Sequence, residues 1–135
     1  MGVIEKKGKF LIAQRSFKEI QAPGLWSLPG GKVELYKEEP DILEKTLRRE
    51  IKEEVGIVIK NILYLRSWFF IRVDNLNVVC ILFVCQWKSG KAKAIEDSIN
   101  VKWISIKQLN KYKLAQGIKK SLKEANKVYK KYYKS

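Results

Sequence analysis

Between Asp41 and Gly56 the chain carries one helical pattern whose apolar and acidic positions together restrict what it can fold into. Leu43, Leu47, Ile51 and Val55 recur every four residues, a spacing that a 3.6-residue period gathers into a single buried stripe. Asp41 suits the start of such a helix as its N-cap, and Gly56 suits its end. At about 100° per residue, Glu50 and Glu54 fall at one edge of the stripe and Glu53 just beyond, while Lys45, Arg48 and Lys52 point away. Three carboxylates are therefore expected together at the rim of the buried face, three and four residues apart, where like charges repel. Glu53 and Glu54 also fall in the last turn, where the helix dipole disfavours an acid by ~0.3–1 kcal/mol. Arg49, four residues before Glu53, can offset part of this, and a divalent cation held by hard oxygen ligands would offset more. A solvated helix rich in lysine and glutamate accounts for Glu-Glu-Val-Gly more simply, so the motif alone carries little.

The flanks are legible as well. Val3-Ile4 and Phe10 to Ala13 surround Lys6-Lys7-Gly8-Lys9, which reads as a hairpin. Pro23-Gly24 and Pro29-Gly30-Gly31 are breaker clusters on either side of Trp26-Ser27-Leu28. Two β-rich runs, about 57–71 and 77–87, meet at Asp74-Asn75, and 101–106 reads as one more strand. Leu114, Ile118, Leu122, Ala125, Tyr129 and Tyr132 recur at helical spacing opposite lysines. With no repeat or linker, residues 1–135 read as one domain, a mixed sheet with helices packed on it.

Composition then removes whole classes of chemistry. The chain has no histidine, so neither a His-based metal site nor a Ser-His or Cys-His nucleophile is available. Any bound metal must rely mainly on oxygen ligands, which favours magnesium, manganese or calcium. Cys80 and Cys85 are an odd number of positions apart in a strand-like run, so they face opposite sides and do not pair. No apolar run approaches the ~20 residues needed to cross a bilayer, and the N-terminus is too short and charged for a signal peptide. A soluble, cytoplasmic protein is expected. The net charge is +14, of which +8 lies from Lys111 onward, where nine lysines meet one acid, Glu124. That tail could attract nucleic acid, although 23 lysines against 5 arginines fit a solvated helical face better.

Two segments in the right order sharpen the reading. Trp26-Ser27-Leu28-Pro29-Gly30-Gly31-Lys32-Val33-Glu34, followed by Arg49-Glu50-Ile51-Lys52-Glu53-Glu54-Val55-Gly56-Ile57, resembles the Nudix box and its lead-in. Arg15 and Pro23-Gly24-Leu25-Trp26 also suit the family's approach to that box. The separation of Gly31 from Arg49 exceeds the family spacing by four residues, so a longer loop is expected at 35–40, within a box at about 31–57. The box's first glutamate then has no unique counterpart: Asp41, or Lys37 beside Glu38, takes its place. Members also begin with a fuller strand than Met1 to Glu5, so either the first strand is abbreviated or the chain starts late, which could weaken one sheet edge.

The resemblance implies a MutT-like Nudix fold, an α/β/α sandwich of α+β class. It implies a pyrophosphohydrolase acting on a nucleoside diphosphate linked to another group, most simply a (d)NTP or oxidised (d)NTP. ADP-ribose or a nucleotide sugar is the alternative substrate, and a silent scaffold binding RNA through the basic C-terminal helix is the alternative class. Glu50, Glu53 and Glu54, with the Gly31 carbonyl, would hold magnesium, with manganese as a substitute. Glu53 is the favoured general base and Glu50 the second choice, while Arg49 would orient a carboxylate. Arg15, Lys32 and Glu34 are candidate substrate contacts, and Glu96 or Asp97 a candidate further acid. A homodimer is compatible with all of this.

Overall fold

The computed structural model describes residues 1–133, so the last two positions of the expected 1–135 unit lie outside the described residues. The first hairpin forms where expected, with β1 (Gly2–Lys6) and β2 (Lys9–Arg15) antiparallel about Lys7-Gly8. Both turn residues have positive φ, 51° and 80°, the geometry whose twist suits a two-residue hairpin. A short β3 (Trp26–Ser27) follows, then α1 (Ile42–Val55), β4 (Val58–Ile71), β5 (Asn77–Ser89), β6 (Ser98–Ile104) and α2 (Ile118–Tyr132). The strands form one mixed sheet of order β3-β2-β1-β5-β4, with β6 also paired to β2. Phe10 pairs Glu5 on one side and Ile104 on the other, and Ala13 pairs Ser27 and Val101, so β1 and β3 share one edge of β2. Beyond that shared edge the Gly2 N–H donates to the Pro29 carbonyl (3.0 Å), tying the glycine turn to the sheet.

Strand alternation splits the core in two. Val3, Ile12, Leu82 and Val84 point to one face, where Ile118, Leu122 and Ala125 of α2 pack. Ile4, Leu11, Phe83 and Cys85 point to the other, where Leu47, Ile51 and Val55 of α1 pack. Each such fully buried aliphatic side chain contributes ~1.5–3 kcal/mol. The sheet therefore lies between two helices, the expected sandwich. Cys85 is buried and Cys80 half-buried, and both are free thiols.

The structure departs from the sequence reading in four places. Asp41 precedes α1 but makes no side-chain cap hydrogen bond, having a left-handed backbone (φ 55°). Gly56, also left-handed, does close the helix, its N–H donating to the Lys52 carbonyl. β6 begins at Ser98, earlier than expected, and is followed by a 3-10 turn, Ile106–Lys111, not anticipated at all. α2 starts at Ile118 rather than near Leu114, because Leu114 is drawn into a parallel bridge with Trp26. Lastly, β1 is short but interior: it runs parallel to β5 and antiparallel to β2, so it weakens no edge. Residues 31–40 are exposed and lack regular structure. No described helix is long and apolar enough to cross a membrane.

Candidate active site

The last two turns of α1 meet the glycine turn and the start of β6, and each glutamate there receives a different environment. Glu54 is turned inward: the Gly30 N–H donates to its Oε2 (3.0 Å) and the Ser98 hydroxyl to its Oε1 (2.9 Å). Burial raises its pKa above the ordinary carboxylate value, with Glu50 pushing the same way, while both hydrogen bonds and the charge of Arg15 pull it down. Glu50 is also held above its ordinary value by burial, opposed by Arg49 and reinforced by Glu53, Glu96 and Glu34. Its carboxylate lies so close to Gly31 that a Cβ there would sit 2.1 Å from Oε2. Only glycine fits that position without displacing Glu50. Glu53 is exposed and faces Arg49.

Arg49 gathers the outer acids. One guanidinium nitrogen lies 3.1 Å from Glu50, 3.5 Å from Glu53 and 4.0 Å from Glu34. The expected meeting of three glutamates is therefore partial: Glu50 and Glu53 share Arg49, whereas Glu54 is satisfied by Gly30 and Ser98. Among the described residues no three acidic, cysteine or histidine side chains are arranged to hold a metal ion as they stand. The donor chemistry nonetheless suits one. Two carboxylates whose charged forms are disfavoured by burial are stabilised by a nearby hard cation, and every side-chain donor is oxygen.

Glu54 opens onto a cleft of about 1120 Å³. Arg15, Lys32, Gly31 and Asp97 line it, together with Ser98. Arg15 is steadied by Nε donating to the Gln21 carbonyl (2.8 Å) and by Glu19 at 3.5 Å. Glu96 adopts a left-handed backbone (φ 54°) and lies outside the lining, though its charge reaches Glu50. Glu34 stands at the outer side with Arg49 and Tyr36. Asp41 and Glu38 are both exposed in the loop region before α1.

Sequence reasoning missed the far wall. Arg66, Trp68 and Phe70 alternate along β4 and line the cleft with Arg72 just past its end, and with Gln116 and Gly117 before α2. The signal was present as a two-residue period of cations and aromatics, but its bulged register was not. Three shifts against β5 lie between Val58 and Arg66, and these decide which parity faces inward beyond them. Ser98 carried no signal whatever.

Comparison with known proteins agrees with this geometry. The NUDIX domain profile matches residues 1–125. An ADP-ribose pyrophosphatase of Methanocaldococcus jannaschii is 32% identical over 112 residues, covering 82% of this chain and 62% of the relative. A CTP pyrophosphohydrolase of Escherichia coli is 48% identical over 56 residues, covering 41% of this chain and 37% of the relative. The chain thus spans less than two thirds of the length of these two relatives. The crystal structure of a MutT protein from Methanosarcina mazei superposes with a TM-score of 0.74 at 26% identity, covering 96% of this chain and 91% of that one. A helix ending in Arg49-Glu50-Ile51-Lys52-Glu53-Glu54-Val55-Gly56, packed against a glycine turn on a mixed sheet, thus places this chain in the MutT-like Nudix hydrolase family.

Proposed function

We propose that the chain, acting as one domain over 1–135, is a magnesium-dependent pyrophosphohydrolase that cleaves a (d)NTP or oxidised (d)NTP into a nucleoside monophosphate and pyrophosphate. The observation that carries this is a single cleft lined by Glu54, Arg15 and Lys32 and also by Trp68 and Phe70. Aromatic side chains suit a nucleobase, and cations beside a carboxylate suit its phosphates. The family generally uses divalent ions, and Glu50, Glu53, Glu54 and the Gly31 carbonyl are the groups that would hold one here. Magnesium, when bound, neutralises phosphate charge and lowers the pKa of a water.

The remaining work falls to the chain's own residues. Arg15 and Lys32 would hold the phosphates against the glycine turn. Glu53, exposed at the outer rim, would take the proton from the attacking water as one P–O bond of the anhydride breaks. Arg49 would keep Glu50 and Glu53 oriented, a role supported by its 3.1 Å and 3.5 Å contacts with them. Asp97 is the candidate further acid inside the cleft, and Glu96 the weaker choice outside it.

The name of the 32%-identical archaeal relative favours a second reading, cleavage of ADP-ribose. A phosphate-release screen over nucleotides with magnesium separates the two. Phosphate released from a (d)NTP by added inorganic pyrophosphatase, without a phosphomonoesterase, supports the triphosphate reading. Phosphate released from ADP-ribose by an added phosphomonoesterase, with none from triphosphates and pyrophosphatase, supports cleavage to AMP and ribose 5-phosphate. No release from any nucleotide overturns both and returns attention to RNA binding by the lysines of α2. A cytoplasmic setting and a homodimer both accord with this activity.

A further inference from the structure

The Glu54 carboxylate has a hydrogen-bond donor on each oxygen, and one donor belongs to neither the box nor its lead-in. Ser98 is the first residue of β6, is 7% exposed, and gives its hydroxyl to Glu54 Oε1 at 2.9 Å. Its position is set by backbone on two sides. The Ile95 N–H donates to the Glu54 carbonyl (3.0 Å) and the Lys93 N–H to the Val55 carbonyl (2.9 Å), docking the segment before β6 on the last turn of α1. From the other side, Ser98 pairs with Arg15 across β2 and β6, at a register shift between Gln14 and Arg15. Bulges of this kind re-aim side chains beside functional sites. The same irregularity therefore sets the place of a cleft cation and of the hydroxyl that holds the cleft carboxylate.

We propose that Ser98 is a positioning residue that, with the Gly30 N–H, fixes the plane of the Glu54 carboxylate for divalent-ion binding. A carboxylate with a single donor rotates about its last torsion, whereas two donors on opposite oxygens leave one orientation. Partners standing behind a ligand group typically change metal affinity or activity by ~10–100-fold when removed. The inference rests on the reading of Glu54 as an ion-holding group.

The test compares Ser98→Ala and Ser98→Thr with the parent protein in two assays. One is manganese binding followed by electron paramagnetic resonance; the other is steady-state kinetics on whichever nucleotide the parent hydrolyses. Ser98→Ala is expected to weaken manganese binding or lower kcat by ~10–100-fold with KM for nucleotide nearly unchanged. Ser98→Thr, which keeps the hydroxyl, is expected to restore both. Urea midpoints are measured alongside. Equal values for alanine variant and parent overturn the inference while leaving the hydrolase reading intact. Equal impairment of both variants, or a loss that follows a lowered urea midpoint, reduces Ser98 to packing and also overturns it. A parent that binds manganese but hydrolyses no nucleotide overturns the substrate reading alone, since the binding assay still decides Ser98. A parent that binds no manganese overturns both.

Discussion

The two helices on opposite faces of the sheet are built alike and end up different. Each buries an aliphatic stripe, Leu47, Ile51 and Val55 in α1 and Ile118, Leu122 and Ala125 in α2. Each also carries a row of like charges, glutamates 50, 53 and 54 in one and lysines 119, 120, 123, 127, 130 and 131 in the other. The glutamate row borders the cleft, where Glu50 and Glu54 are partly buried, lie near Arg49, Gly30 and Ser98, and have raised pKa values. The lysine row faces solvent, and α2's one acid, Glu124, is instead turned to Arg66 at 3.5 Å. Repulsion between like charges four residues apart is a few tenths of a kcal/mol in either helix. What separates them is desolvation, which makes each buried charge depend on named partners.

Four measurements would break or sharpen that contrast. If the apolar stripes are equivalent, Ile51→Ala and Leu122→Ala, both fully buried, should each cost ~2–5 kcal/mol in urea denaturation. A cost confined to one would show that the helices differ in support as well as in charge. Glu53→Gln should lower turnover at least ~100-fold on the identified substrate while leaving the urea midpoint in place. Unchanged turnover would remove Glu53 as general base and pass the role to Glu50.

Without added metal, Glu54 should make stability depend on pH. Its folded pKa is raised, so between the ordinary carboxylate value and the raised one the native state holds more protons than the unfolded chain. Stability should then fall as pH rises through that window, and Glu54→Gln, which can still accept from Gly30 and donate to Ser98, should flatten the slope. A slope identical in the variant would assign it elsewhere. The smallest effect belongs to α2: Lys123→Ala combined with Lys127→Ala should change stability by no more than ~0.5 kcal/mol and leave turnover alone. A substantial fall in turnover would mean that the lysine face takes part in substrate binding.

Local patterns made much of the fold legible. The four-residue recurrence in α1 and its closing Gly56 translate directly into a helix of Ile42–Val55, because both depend only on neighbours in sequence. The hairpin about Lys7-Gly8 is equally local. Errors occurred where a distant partner overrode the pattern. Leu114 has the spacing of α2, yet Trp26 claims it through a bridge, and Gly117 then resets the chain before the helix starts. β1 is short by sequence and still central, since its worth comes from β5 lying alongside in parallel.

The candidate site divides in the same way. Sequence alone determined that any metal chemistry would rely mainly on oxygen donors, and that Glu50, Glu53 and Glu54 would occupy one helix end. These follow from composition and from helical pitch. Only the tertiary structure decided that Glu54 turns inward, that Arg49 stands among Glu34, Glu50 and Glu53, and that Ser98 closes on Glu54 from a strand 44 positions away. It also decided, through the bulges of β4, that Trp68 and Phe70 line the cleft. Burial and hydrogen bonding depend on what packs against a group, and no reading of the group's own neighbours along the chain contains that information.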